Sequence, residues 1–310
     1  MKIEEKFREI TLNMMLDCRE KRAENQLKLL AGYGKPVISF TMNIAGPVKS
    51  SYMIKRGFCI GLERIEGALL AKKAKVLEKQ VFYNLTGPEA FIAVDCDAVT
   101  LKKIVSEIED RDKLGRLFDV IDTDCRKLAR EKERLCLLCS NKAKECASRR
   151  IHTVEELQKK TREILKKNVR EFDSDKVAGY AVKALLYEVA VTPKPGLVDR
   201  NNCGSHSDMN FYTFLGSSVS LFPYFKKAYI IGLESSNEKQ CFRKLRKAGI
   251  EAEQTMFFET DGINTHKGAV FSLGLFCCAC GFCAIGNEDI FSCISKSTYI
   301  ILVDPLLPLF

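Results

Sequence analysis

No apolar signal segment opens this chain: the first residues, MKIEEKFREI, are charged throughout. The fourteen cysteines therefore do not read as the disulfide scaffold of a short secreted protein, and a reducing cytoplasm is the expected compartment. No long run rich in Leu and Ile is present either. The one charge-free stretch, GAVFSLGLFCCACGFCAIG from Gly268 to Gly286, approaches the ~20 residues of a bilayer crossing. It is built from Gly, Ser and Cys and lacks flanking aromatic anchors, which predicts a buried helix rather than a span. Nor is there a concentrated basic tail. Lys and Arg exceed Asp and Glu by 49 to 40, a formal charge of +9, but they are spread along the chain. An anionic partner is favoured, with nucleotide, acidic protein and nucleic acid all open.

At 310 residues two domains are expected, each long enough to bury its own core. The first half alternates in period. Residues 4–30 read as a helix stopped by YGKP. VISFTMNIAGPVK (Val37 to Lys49) is β-rich, and a helix is expected from Tyr52 to about Lys75. Val81 to Asp97 holds two short strand-like runs around Thr86-Gly87-Pro88, Val99 to Glu109 is helical, and GRLFDVID (Gly115 to Asp122) is a strand again. Residues 153–173 form a charged amphipathic connector helix. Beyond it strand signals nearly vanish, and no repeat or low-complexity tract appears. The expected fold is α+β: a mixed α/β domain over 1–152, the connector, and an all-α domain over 174–310.

Three constellations could carry chemistry. Residues i and i+2 of a strand share a face, so Asp95 with Asp97, or Asp122 with Asp124, can aim two carboxylates at one magnesium ion. The plainer reading is an acidic turn at a strand end. Second, CLLCSNKAKECASRRIH offers Cys136, Cys139, Cys146 and His152, four ligands suited to tetrahedral zinc at a spacing shorter than common fingers; its rival is a basic loop that touches phosphates or solvent. Third, Pro193 and Pro195 fix the backbone around Lys194 in VTPKPGLVD, and RNNCGSHSDM follows at once. These bring Lys194, Asp199, Asn202, His206 and Asp208 toward Asn264, His266 and Lys267 of DGINTHKGAVFSLG, where helix N-termini and lysines suit an anion and carboxylates suit magnesium. Against this, Asn-Thr-His-Lys also reads as an N-cap and first helical turn.

LLYEVAVTPKPGLVDRNNCGSHSDMNFYTFLGSSVSLFPYF (Leu185 to Phe225) with DGINTHKGAVFSLG resembles the triphosphoribosyl-dephospho-coenzyme A synthase family. MLDCREKRAENQ (Met15 to Gln26), VISFTMNIAGPVK, TGPEAFIAVDCDA, GRLFD and the CLLC segment resemble the citrate lyase holo-acyl-carrier-protein synthase family, also called apo-citrate lyase phosphoribosyl-dephospho-coenzyme A transferase. Together the likeness covers nearly all of residues 1–290 and implies a nucleotidyltransferase-like first domain. It also implies two consecutive steps. In the second half the 2'-hydroxyl of 3'-dephospho-coenzyme A attacks C1' of ATP and adenine leaves. In the first half a serine of the apo acyl carrier protein of citrate lyase attacks the α-phosphate of the product, and pyrophosphate leaves.

What the resemblance implies for residues is Arg116, Asp119 and Asp122 as catalytic with Lys49 on substrate in the first half. In the second it implies His206 and Lys267 as catalytic, with Lys194, Asn202, Asn264 and His266 on nucleotide. Magnesium is expected on Asp119, Asp122, Asp199 and Asp208, and zinc remains a candidate for Cys136, Cys139, Cys146 and His152. Nucleotides and the carrier protein are the expected partners, rather than nucleic acid or membrane. Two departures stand out. The family pattern Gly-Arg-Leu-Phe-Asp-x-Asp-Val is shortened here, so Asp119 and Asp122 stand at i and i+3, on opposite faces of a regular strand unless a bulge intervenes. The ending, FSCISKSTYIILVDPLLPLF, is unlike the family's further helices, and the expectation is a truncated, weakly folded or partner-dependent second half. The alternatives are a non-catalytic zinc-stabilised basic binding module, and a decayed fusion that binds nucleotide without turnover.

Overall fold

A computed structural model of the chain describes residues 8–122, 133–139, 141–284 and 294. Contacts divide it into two units, the first ending at Val169 and the second beginning at Arg170. The first unit is α+β. Helix α1 (Leu12–Tyr33) begins where the Thr11 side chain accepts the Met14 N–H, and it ends at Gly34 in the left-handed region, φ 60. The helix expected over residues 4–30 thus starts late, at a capping threonine. Strand β1 (Val37–Met42), helix α2 (Tyr52–Ala71), strands β2 (Lys75–Asn84) and β3 (Gly87–Asp95), helix α3 (Ala98–Asp110) and strand β4 (Phe118–Asp122) follow. Gly115–Leu117 form a 3-10 turn, so the predicted strand over 115–122 is shorter than expected.

The sheet order is β2-β3-β1-β4, with all neighbours antiparallel. β2 and β3 are longer than the two short runs predicted, joined by a two-residue turn. Both faces are covered. α1 packs Leu29 on Val37, Phe91 and Ala93, while on the other face Phe40 stacks on Phe58 of α2 with ring centroids 4.7 Å apart and meets Phe118 edge-on at 5.3 Å. Rows across the sheet follow from the register: Glu89 of β3 and Asp119 of β4 both pair with Thr41 of β1. Asp122 pairs with Ile38, so it is out of phase with Asp119 as an i, i+3 relation requires; its side chain, like all of Asp124, lies outside the described residues.

Helix α4 (Ala143–Ser148) is a single short helix, and α5 (Val154–Ala190) runs for 37 residues. The expected connector and the helix after it are one element, because no Gly-Pro break interrupts the apolar spacing between them. The second unit adds α6 (Phe211–Ser220), α7 (Phe222–Glu234), α8 (Glu238–Glu259) and α9 (Lys267–Cys283). Its core joins Leu221, Phe225, Phe242, Leu245, Met256 and Val270. The small residues of α9 now have a reason. A methyl group at Gly232 of α7 would collide with the Cys278 carbonyl oxygen, and one at Gly281 with that of Tyr229. The two helices touch backbone to backbone, which only side chains of that size permit. No helix among the described residues is long and apolar enough to cross a membrane.

Candidate functional site

Three polar groupings emerge. The first is a corner of the first unit. The ligand atoms of Cys136, Cys139, Cys146 and His152 all lie within 4.8 Å of one another. Cys139 Sγ is 3.5 Å from Cys146 Sγ and 3.3 Å from His152 Nε2. Four donors ~2.3 Å from one tetrahedral ion stand under ~4 Å apart, so this set needs little closure to take zinc. Burial disfavours the Cys136 thiolate, but the N–H groups of Cys139 and Leu138 and the neighbouring thiols outweigh it and hold its thiol down to about 7. Burial first, then Cys139 and Cys136, push Cys146 up to about 12. A cation at the centre would release those protons. The short gap that departs from finger spacing is spanned by α4 and a turn in which Arg150 takes φ 49.

The second grouping lies on the α1 side of the sheet. Arg22 Nε donates to Glu89 Oε2 at 3.0 Å, and Asn84 Nδ2 donates to Glu89 Oε1 at 3.1 Å. Thr86 Oγ1 donates to Cys18 Sγ at 3.2 Å. Sequence reasoning did not single out Cys18, Arg22, Thr86 or Glu89. The signal was available: all four fall inside the family-like segments MLDCREKRAENQ and TGPEAFIAVDCDA. Lys49 is half-buried and donates to the Ile44 carbonyl, and burial, together with Arg19 nearby, holds its ammonium below the ordinary lysine range. The cation that meets Asp119 is not the expected Arg116. Arg134 stands 4.0 Å from Asp119, 2.8 Å from the buried Glu109, and donates to the Phe118 carbonyl. Arg116 instead reaches Asp110 at 3.5 Å and the Leu135 carbonyl, because the 3-10 turn carries it off the strand. Asp95 pairs with Lys35 at 2.7 Å, and Asp97 caps α3 through the Thr100 N–H, so each carboxylate of this pair serves in a local contact.

The third grouping belongs to the second unit. Asp199, 1% exposed, knits its own loop. Its Oδ1 accepts from the N–H of Asn201 (2.8 Å) and Asn202 (2.9 Å) and from Asn202 Nδ2 (3.3 Å), and its Oδ2 from Thr192 Oγ1 (2.9 Å) and the Lys194 N–H (3.1 Å). The Asn201 N–H is the largest influence on this carboxyl; burial opposes it, but the other donors join it and hold the group down to about 2. Five donors already occupy the carboxylate that was expected to bind magnesium, which leaves it little capacity for a cation. Asn202, though exposed, is also engaged within the loop, accepting the Gly204 N–H at 2.8 Å.

Lys194, only 13% exposed, pairs with Glu188 at 2.7 Å. The buried His266 feels the charge of the same Glu188. Its Nδ1 is 2.8 Å from Ser217 Oγ, which is 2.6 Å from Thr265 Oγ1, and its ring meets Phe214 edge-on. Burial lowers the imidazole to about 4, with Glu188 opposing, so it is neutral near pH 7. Its Nε2 is buried and has no hydrogen-bond partner among the described residues, which leaves one polar atom ready for a ligand. His206 and Asp208 are solvent-facing and 4.0 Å apart. Asn264 Oδ1 accepts the Lys267 N–H at 3.3 Å just before α9, and Lys267 Nζ stands 3.7 Å from Glu253.

An α+β unit with a Cys/His corner is followed in the same chain by a helical unit with a proline-fixed polar loop, so the fold defines a two-part protein. Residues 10–168 match the family described as apo-citrate lyase phosphoribosyl-dephospho-CoA transferase, and residues 174–299 match ATP:dephospho-CoA triphosphoribosyl transferase. The chain belongs to the first of these families, and its remaining part is similar to the second. The protein named CitXG of Haemophilus influenzae is 36% identical over 281 residues, 88% of this chain and 60% of its own length. CitXG of Leuconostoc mesenteroides subsp. cremoris is 35% identical over 291 residues, 88% of this chain and 62% of its own. A 2-(5''-triphosphoribosyl)-3'-dephosphocoenzyme-A synthase of Haemophilus ducreyi is 41% identical over 146 residues, 46% of this chain and 44% of its own. The chain thus spans about three fifths of the length of the CitXG relatives it matches.

Proposed function

We propose that this chain is a transferase that makes and attaches the citrate lyase prosthetic group, one step in each unit. In the helical unit the 2'-hydroxyl of 3'-dephospho-coenzyme A attacks C1' of ATP and adenine departs. In the α+β unit the serine of the apo acyl carrier protein attacks the α-phosphorus of the triphosphoribosyl product, and pyrophosphate departs. The observation that carries this reading is the occurrence of both family matches in one chain, end to end. Both steps act beside a polyphosphate, whose negative charge must be met by fixed cations.

The side chains support a division of labour. Lys194 and His266, which share Glu188 as neighbour, are proposed on the nucleotide, with Asn264 and Lys267 at the start of α9 beside them and Asn202 bracing the loop. His206 is proposed for proton transfer. In the first unit Lys49, Arg116 and Asp119 are proposed on the intermediate. Magnesium is the proposed counter-ion of both triphosphates. Asp119 and Asp208 keep 42% and 58% of their side chains exposed for it, whereas Asp199 does not fit. Zinc is proposed for Cys136, Cys139, Cys146 and His152, and the cytoplasm, where ATP and dephospho-coenzyme A are met, for the compartment.

Mass spectrometry of the apo carrier protein tests the reading. Incubation with ATP and dephospho-coenzyme A, and separately with ready-made triphosphoribosyl intermediate, is expected to add the phosphoribosyl-dephospho-coenzyme A mass in both arms. An unmodified carrier in both arms, with no adenine released, would leave a zinc-stabilised binding module as the better description.

A further inference from the structure

We infer that the cleft beside the Cys/His corner is the polyphosphate subsite of the first unit, and that a zinc ion on Cys136, Cys139, Cys146 and His152 sets the positions of its cations. The identity of the anion rests on the transferase reading; the site does not. The cleft has a volume of about 470 Å³ and is lined by Arg116, Arg134, Lys144 and Arg150 together with apolar side chains such as Leu117 and Leu157. No carboxylate occurs among its described lining residues. Four cations without a lining acid favour a multiply charged anion, and the apolar wall suits its organic part.

The placement of these cations points to the metal. Three of the four sulfur and imidazole ligands, Cys136, Cys146 and His152, also line the cleft. Arg134, Lys144 and Arg150 stand two residues before each of them in turn. Fixing the ligand therefore fixes the cation's backbone two residues away. Little else does so. Between residues 133 and 152 Cys146 is the one buried residue among those described. The segment is closed by the Leu135–Lys142 bridge and a few backbone bonds, from Cys136 N to Asn141 O (2.7 Å), Ala143 N to Arg134 O (2.8 Å) and Ile151 N to Cys146 O (3.1 Å). A segment with so small a core gains its order from the ion. Arg134 and Arg116 are already anchored to Glu109 and Asp110. Lys144 and Arg150 are exposed and make no ion pair among the described residues, so they are the cations available to an incoming phosphate.

The test uses the full chain, purified with zinc, and inorganic diphosphate as the probe. Metal analysis is expected to find one zinc per chain. Calorimetric titration of the Lys144→Ala, Arg150→Ala double variant is expected to show zinc retained and one diphosphate site weakened by about tenfold or more, the loss expected for two charge-assisted contacts. Cys139→Ser is expected to lose the metal and weaken the same site. Wild-type affinity in the double variant overturns the subsite, and wild-type affinity in metal-free protein overturns the role of zinc. Carrier labelling is read separately: diphosphate bound in the cleft by a wild-type chain that never labels the carrier sinks the transferase reading and leaves the cleft standing.

Discussion

The Cys/His corner of the first unit and the Thr192–Asp208 loop of the second are both short, polar and poor in regular structure, yet opposite forces hold them. The loop is self-sufficient: one buried carboxylate, Asp199, collects five donors, three of them backbone N–H groups. The corner leaves its strongest ligands facing one another across less than 4.8 Å with few backbone bonds around them. A buried aspartate surrounded by donors is complete without an ion, whereas a ring of thiols and an imidazole is a donor set that a zinc ion would fill. Acidic side chains in a loop are therefore weaker evidence for a metal than their charge suggests, and hydrogen-bond accounting separates the two cases.

The largest effect that should separate the two regions is on the transfer step. Cys139→Ser is expected to reduce carrier labelling from ready-made intermediate by more than about a hundredfold, as loss of a structural metal does; labelling at the wild-type rate would break the comparison at once. Next comes Asp199→Asn, which keeps the shape of the side chain but replaces an acceptor oxygen with a donor group in the midst of five donors. Adenine release, followed by chromatography, is expected to fall about fiftyfold as Lys194 loses its fixed position. Added zinc should do nothing to restore it. Gly232→Ala sharpens the contrast further down the scale. Its methyl meets the Cys278 carbonyl oxygen, so the second unit should lose about 2 kcal/mol in urea unfolding while the metal content stays unchanged.

The smallest expected effect concerns pH. His266 is held neutral down to about 4, mainly by burial, against an unfolded value of ~6.5. Below that unfolded value the unfolded chain binds a proton that the folded one refuses, so stability falls as pH drops from ~6.5 toward 4. The second unit should be less stable at pH 5 than at pH 7 by at most about 1.8 kcal/mol, and His266→Gln should flatten that slope. A slope of the other sign would mean that the imidazole is charged in the folded unit.

Much of this was legible in the residues, and the failures share a physical cause. Alternation of period exposed the α+β unit and the helical one, and Cys-x2-Cys with a later Cys and His marked the corner before its geometry was known. The first half of β2, KVLEKQ, was not read as strand because it belongs to an edge strand with half-wet faces and therefore lacks an apolar run. The Arg22–Glu89 pair joins residues 67 apart, a contact that no local spacing encodes. Arg116 and Asp119, both expected to be catalytic, lie close in sequence, but a 3-10 turn separates their directions. Asp199 looked like a ligand because charge is visible in a sequence and satisfaction is not.

The central claim is that two consecutive reactions occur in two separately organised parts of one chain. It is tested most directly by mixing two disabled variants, Cys139→Ser and Asp199→Asn, with ATP, dephospho-coenzyme A and apo carrier protein, and following the carrier's mass. Each variant alone should leave the carrier almost unlabelled, and the mixture should restore labelling, because the Cys139→Ser chain makes the intermediate and the Asp199→Asn chain attaches it. A mixture as inactive as either variant, or full labelling by one of them alone, would contradict the account.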